Sequence, residues 1–206
     1  MLQNSIKDGK LYFNGCNVEE LAQKYGTPLY VISEDCIRNK CKELKDSFTE
    51  KYPNTKVFYA SKAFLTLEMC KIMKEEGMGI DVVSGGELFV AIRAGINPKD
   101  IMFHGNNKTK REIQYALESK VGYIVIDSLE EIDLINRYAS EEVNVVLRLN
   151  PGVEAHTHEF IQTGQEDSKF GLSIKHGLAI EGVKKVKDAK RLNLKGVHFH
   201  VGSQIE

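Results

Sequence analysis

Along most of the chain, apolar runs of strand length alternate with segments whose apolar residues recur at helical spacing. From Lys56 onward, strands are predicted at 56–61, 79–84, 101–104, 122–127, 143–149 and 195–201. Between them, Leu65, Met69, Ile72 and Met73 follow the i, i+4, i+7, i+8 spacing of one helix face. Ile113, Ala116 and Leu117 repeat it over a shorter span, and Leu178, Gly182, Val183 and Val186 mark a further helix. Strands alternating with helices of this length predict βαβ units and a parallel sheet. Ser84-x-x-Glu87, Thr109-x-x-Glu112 and Ser128-x-x-Glu131 have the spacing of capping boxes, in which the hydroxyl accepts from an orphan amide and the carboxylate reaches back to the cap. All three fall just after a predicted strand.

Six β/α steps result. A doubly wound sheet can stop at six and an eight-strand barrel needs two more, so both architectures fit the pattern. Gly202-Ser203-Gln204-Ile205-Glu206 follow the last strand with no helix to cover it, and the expectation is a chain cut just after a strand.

Residues 1–26 differ from the rest. Lys10–Phe13 is a short strand candidate, and Asn17–Tyr25 a short helix stopped by Gly26. Thr27–Ile32 reads as a strand with proline near its start, where a missing donor is tolerated. A helix is predicted from about Glu34 to Lys51, with Pro53 just past its end. The expected organisation is an N-terminal segment over 1–26 and a β/α unit over 27–206.

Composition is that of an ordinary globular chain: 42% hydrophobic and 28% charged over 206 residues. A net charge of −1 offers no electrostatic case for nucleic acid or an anionic membrane. The start lacks the apolar core of a signal peptide, and no apolar run is long enough to span a bilayer. Cys16, Cys36, Cys41 and Cys70 include no C-x-x-C pair and read as reduced thiols, so a cytoplasmic location is expected.

The candidate chemistry sits at strand exits. Val57–Ala60 ends in Ser61-Lys62, and a lysine there lies where α/β folds place their chemistry. In a desolvating pocket its amine would favour the neutral form and could attack a carbonyl to give a Schiff base. The plain alternative is a surface lysine. Asp81, His104, Asp127, Arg148 and His200 occupy equivalent places on other strands. Asp127, just before Ser128, reads as a helix cap. Alternation puts Val197, Phe199 and Val201 on one face, suited to a helix layer, and His198 and His200 on the other. Arg148 shares a face with Val146 and Asn150, and burying it without an anionic partner would be costly. His198-x-His200 could instead hold zinc, but no clear carboxylate set accompanies it, and no metal is expected. His156-x-His158 lies in a long polar loop, 150–173.

The motifs Phe58-Tyr59-Ala60-Ser61-Lys62-Ala63, Gly79-Ile80-Asp81-Val82-Val83-Ser84-Gly85-Gly86-Glu87-Leu88 and Phe103-His104-Gly105-Asn106-Asn107-Lys108-Thr109 occur in that order. Leu147-Arg148-Leu149-Asn150-Pro151-Gly152-Val153, Asp167-Ser168-Lys169-Phe170-Gly171 and Val197-His198-Phe199-His200-Val201-Gly202-Ser203-Gln204 follow. Together they resemble the diaminopimelate decarboxylase family of pyridoxal-phosphate enzymes, of the alanine-racemase-like barrel type.

The resemblance implies an α/β fold, a (β/α)8 TIM-type barrel that is incomplete here at about six units, with the N-terminal segment joining a β domain. It implies pyridoxal 5'-phosphate as cofactor and decarboxylation of meso-diaminopimelate to L-lysine and CO2. Lys62 would carry the cofactor as a Schiff base, and His200 would stack on its ring. Gly202 and Ser203 would hold part of its phosphate, and Asp81 and Arg148 would support cofactor and lysine. Residues 154–171 would cover the substrate. The family's phosphate loop, β domain and catalytic cysteine match nothing here, so the 206 residues are expected to be inactive alone, and the full-length protein a homodimer. The alternatives are a related decarboxylase of ornithine, arginine or carboxynorspermidine, which the loop 163–171 disfavours, and a non-catalytic cofactor-binding module.

Overall fold

A computed structural model describes residues 4–152 and 170–202. They divide into two compact units, residues 1–56 and 57–206.

In the first unit, β1 (Asn4–Lys7), β2 (Lys10–Phe13) and β3 (Cys16–Asn17) form an antiparallel meander. Its turns are Asp8-Gly9 and Asn14-Gly15, with φ of 50°, 74°, 47° and 84°. Two consecutive positive φ values are what a two-residue primed hairpin requires, and Asp-Gly and Asn-Gly supply them at least cost. Helix α1 (Val18–Tyr25) is capped by Asn17, which accepts from the amides of Glu19 and Glu20. Residues 27–32 are not a strand. Pro28 has no N–H, no partner strand pairs with the segment, and Leu29, Tyr30, Val31 and Ile32 are exposed. Helix α2 (Glu34–Leu44) is capped by Ser33 and ends before the expected Lys51, widening into a π-helical turn over Lys45–Thr49.

The second unit carries the β/α rhythm. Its strands are β4 (Phe58–Ala60), β5 (Gly79–Val82), β6 (Ile101–Phe103), β7 (Tyr123–Ile126), β8 (Val143–Asn150), the two-residue β9 (Leu172–Ser173) and β10 (Leu192–His198). Its helices are α3 (Leu67–Glu75), α4 (Gly85–Arg93), α5 (Lys110–Glu118), α6 (Leu129–Tyr138) and α7 (Leu178–Asp188). All six predicted strands are present, paired in parallel in the order β4-β5-β6-β7-β8-β10, with β9 beside the end of β8. This order decides between the two architectures. A doubly wound sheet reverses direction at a switch point, whereas a barrel adds each strand beside the last. The unit is an arc of a β/α barrel.

The core lies between strands and helices. Ile80, Val82, Ile101, Phe103, Ile124, Ile126, Val145 and Leu147 are fully buried on the strands, against Leu88, Ile113, Ile132 and Ile135 on the helices. Each such side chain contributes about 1.5–3 kcal/mol of burial. Some expected helix positions shift: α3 starts after Leu65, and α7 buries Ala179, Gly182 and Val186 while Leu178 is exposed. A Cβ at Gly182 would overlap Cδ1 of Leu172 on β9, so any larger residue there must displace that side chain or the helix. Val197 and Phe199, expected under a helix layer, are 51% and 61% exposed. Cys41 and Cys70 are buried, Cys16 is exposed, and no cysteine forms a disulfide. No helix among the described residues is long and apolar enough to cross a membrane.

Candidate active site

The carboxyl ends of the parallel strands form a polar rim, and the helix caps build it. Ser84, Thr109 and Ser128 cap α4, α5 and α6, each accepting from the amide of the glutamate three residues on. Only at Thr109 does that glutamate return to the cap's own N–H, where Glu112 Oε2 accepts at 2.9 Å. Glu87 and Glu131 reach one residue further, accepting from the amides of Val83 and Asp127, at 2.7 and 2.8 Å. All three glutamates also tie their corner to the preceding one. Glu87 Oε2 accepts from the Ser61 hydroxyl at 2.7 Å, and Glu112 Oε1 from the Gly85 amide at 2.8 Å. Glu131 Oε1 lies 3.0 Å from Lys108 Nζ.

Lys62 follows β4 in a single 3-10 turn, Ser61–Ala63. Its neighbour Ser61 is buried and pinned by Glu87, whereas Lys62 itself is exposed. The desolvating pocket expected around it is therefore not formed by the described residues. Its charge nevertheless reaches Asp81, His104, His198 and His200.

Asp81, on β5, is mostly buried. Burial raises its carboxyl to about 6, opposed by Lys62 and Arg148. His104, just past β6, places Nδ1 4.0 Å from Asp81 Oδ2. Its ring stands 4.6 Å from that of His198, tilted by 58°. His198 is the register partner of Arg148, so the two share a face of the sheet. Burial lowers His104 to about 3 and His198 to about 4, with the neighbouring cations acting in the same direction. Both rings are neutral near pH 7. His200 is half-buried beyond the end of β10 and is lowered by burial, Lys62 and Arg148.

Asp127 corrects the sequence reading, and it supplies the anionic partner that a buried Arg148 needs. Arg148 is buried, and its anionic partner is Asp127, with Nη1 3.3 Å from Oδ1. Asp127 is no helix cap; Ser128 has that role. Its Oδ2 accepts from the Gly171 amide at 3.1 Å. The Arg148 guanidinium lies over the Phe170 ring, 4.3 Å from its centroid. Gly171 has φ +75°, and a Cβ there would stand 3.0 Å from the Arg148 carbonyl, so the close approach needs glycine.

Lys108, in the Asn106-Asn107-Lys108-Thr109 motif just before a cap, carries no local sequence signal of burial. It is buried and donates to the carbonyls of Gly105 and Val125, at 2.6 and 2.7 Å, besides pairing with Glu131. Burial lowers its pKa, and Glu131 opposes that.

Gly202 is half-buried beyond β10, while Ser203, His156 and His158 lie outside the described residues. Among the described residues no group of three or more His, Cys, Asp or Glu side chains could hold a metal ion. The clefts lined by Lys99, Gly122 and Val143, or by Lys74, Gly77 and Asp100, sit at the opposite, amino-terminal ends of the strands.

Among the described residues, Asp81 Oδ1, His104 Nε2 and His198 Nδ1 are buried at the rim without a hydrogen-bond partner. Such atoms call for a ligand or water. With the Lys62 amine, the buried Arg148 and the His200 imidazole beside them, this donor set fits pyridoxal phosphate, a flat, polar, anionic aldehyde.

Residues 34–206 match the family described as pyridoxal-dependent decarboxylase, pyridoxal binding domain. Diaminopimelate decarboxylase of Staphylococcus aureus (strain COL) is 56% identical over 200 residues, 97% of this chain and 48% of that protein. That of Bacillus subtilis (strain 168) is 46% identical, over 96% of this chain and 46% of that protein. A crystal structure of diaminopimelate decarboxylase from M. jannaschii in co-complex with L-lysine superposes with a TM-score of 0.90 at 39% identity, covering 100% of this chain and 50% of that one. The chain spans about half the length of the curated relatives it matches. It belongs to the pyridoxal-dependent decarboxylases, and residues 34–206 are their pyridoxal-binding domain.

Proposed function

We propose that the whole protein decarboxylates meso-diaminopimelate to L-lysine and CO2, and that this chain provides the cofactor lysine and the polar rim around it. The observation that carries the reading is the polar rim at the strand ends, where Asp81 lies 4.0 Å from His104, the His104 ring 4.6 Å from His198, and His198 in register with buried Arg148, with Lys62 and His200 at the exits of β4 and β10. The 56% identity to a diaminopimelate decarboxylase supports the substrate.

When bound, pyridoxal phosphate supplies an electron sink for the pair released as the carboxylate bond breaks. The chain's residues prepare the place. Lys62 presents a primary amine in an accessible position. Asp81, raised to about 6, can hold or release a proton near it. His200 offers a flat face, and Arg148, paired with Asp127, has further guanidinium N–H donors at the rim. Gly202 and Ser203 are proposed phosphate donors, as the resemblance implies. We further read the protein as a cytoplasmic homodimer of lysine biosynthesis, acting on a small amino acid without nucleic-acid or membrane partners. Residues 1–26 are proposed to join a β domain; the exposure of Ile6 and Leu11 on β1 and β2 supports this.

Borohydride reduction of the whole protein with pyridoxal phosphate, followed by peptide mapping, is expected to mark Lys62. CO2 release from meso-diaminopimelate is expected to vanish in Lys62→Ala. A mark on another lysine, or turnover of ornithine but not diaminopimelate, overturns the reading.

A further inference from the structure

Asp127 has two carboxylate oxygens and two buried commitments. Oδ1 faces Arg148 Nη1 at 3.3 Å, and Oδ2 accepts from the Gly171 amide at 3.1 Å. Arg148 in turn covers the Phe170 ring, whose residue immediately precedes Gly171. Three separate pieces of chain thus meet on one carboxylate: the end of β7, the end of β8 and the stretch leading into β9. The carboxylate is itself restrained, because its own amide is held by Glu131, which pairs with buried Lys108. The group contains two cations, Lys108 and Arg148, and two anions, Asp127 and Glu131, so its charge balances without solvent.

We propose that Asp127 is a positioning residue for the cofactor site. It fixes the orientation of the Arg148 guanidinium and locks Phe170-Gly171 against the same strand end. A guanidinium has five donors in a rigid fork, so one carboxylate contact constrains where the others point. Without that contact the fork can rotate about its stem, and the buried cation loses the anion that makes its position tolerable. Asp127 does not touch the cofactor in this scheme. It acts through Arg148, and the inference rests on the reading that Arg148 supports the cofactor.

The test uses the whole protein and titrates pyridoxal phosphate, following its absorbance. Arg148→Gln and Asp127→Asn are each expected to weaken cofactor binding about tenfold or more, the scale of a lost hydrogen bond to a charged group. The double variant is expected to bind no worse than Arg148→Gln alone. Asp127→Glu retains the charge and displaces it by one methylene. It is expected to bind more tightly than Asp127→Asn, and it carries the test if Asp127→Asn does not fold. Hydrogen exchange of the Gly171 amide in cofactor-free protein is expected to accelerate in Asp127→Asn and not in Arg148→Gln. Additive losses in the double variant, equal losses in the Asn and Glu variants, or normal affinity in Asp127→Asn alongside a defect in Arg148→Gln all overturn the inference. Normal affinity in Arg148→Gln instead removes Arg148 from the cofactor site, and the positioning role of Asp127 with it.

Discussion

Replacing Lys108 by methionine tests the rim most directly. Methionine fills the volume of the aliphatic stem, so little cavity forms and the change is one of charge. The Lys108 side chain is 1% exposed and that of Glu131 9%, with 3.0 Å between Nζ and Oε1. After substitution, Glu131 keeps the Asp127 amide but loses its cation, and the carbonyls of Gly105 and Val125 lose a donor. Breaking a buried pair by removing one partner costs about 3–5 kcal/mol. That is a large share of the ~5–15 kcal/mol that holds a domain folded. At a urea dependence near 2 kcal/mol per molar, the unfolding midpoint falls by about 2 M. Glutamine at 131 still accepts from the Asp127 amide but carries no charge, so Lys108→Met with Glu131→Gln should recover at least about half of the loss. The pH dependence follows from Glu131. Burial already holds its carboxyl above the usual 4.5, and Lys108 opposes this. Without Lys108 it rises further. A carboxyl raised on folding stabilises fully below its unfolded value and loses that contribution as pH climbs through the folded value. The deficit of Lys108→Met relative to the parent is therefore smaller near pH 4, where only the lost donors to Gly105 and Val125 remain, than at pH 7. A deficit under about 1 kcal/mol at pH 7, or one equal at both pH values, would falsify the assignment of Lys108 to a buried, charged pair.

Three further outcomes follow from the same rim and the packing behind it. Asp81→Asn in cofactor-free protein raises stability at pH 7, by at most about 3 kcal/mol at 1.4 kcal/mol per pH unit, because burial moves this carboxyl from 3.8 to about 6. The parent's disadvantage is absent below pH 3.8 and grows through pH 6, so identical urea midpoints for parent and variant at pH 7 would count against it. His104 and His198, lowered to about 3 and about 4, stay neutral at pH 5; they stabilise the fold above pH 6.5 and lose that contribution as pH falls toward those values. Imidazole proton shifts that titrate near 6.5 for either ring contradict this. Gly182→Ala forces α7 away from Leu172 and lowers stability by about 1–3 kcal/mol in thermal unfolding; an unchanged melting temperature shows that the contact yields freely.

The strand and helix order from Lys56 onward was legible because most elements are long enough for their period to show and three corners carry a cap signal, at Ser84, Thr109 and Ser128. The N-terminal meander was legible in part. Asp8-Gly9 and Asn14-Gly15 are strong hairpin signals, but β1 is four polar-rich residues and shows no alternation. Thr27–Ile32 misleads because its apolar content is that of a strand, while a strand also needs a pairing edge, which no local pattern reports. The rim residues were legible as strand exits, but their partners were not. Asp127 has the sequence signature of a cap and is instead the counterion of Arg148, twenty-one positions away. Lys108 has the signature of a surface lysine and is buried because two carbonyls and Glu131 converge on it. Such pairings depend on which strands are neighbours, and the order of strands is a property of the whole sheet.

The three cap glutamates explain why a local signal nevertheless marks the site. A helix cap needs one acceptor for one orphan amide, and serine or threonine supplies it. The glutamate three residues later serves its own corner and also reaches the corner before it, with its two oxygens at Glu112 and Glu131 and with Oε2 alone at Glu87, through Ser61, Gly85 or Lys108. The spacing that starts a helix thus also joins adjacent strand ends, so the rim is held by the same residues that repeat the fold. For β4 this has a chemical consequence. In the proposed function Lys62 would have to be reachable by an aldehyde, and it is exposed rather than fixed by burial. Its place is set instead by the buried Ser61, whose hydroxyl is held by Glu87, and the amine is left one residue beyond the last fixed point. An exposed lysine beside a restrained backbone would suit the proposed role, joining one partner and then exchanging it for another.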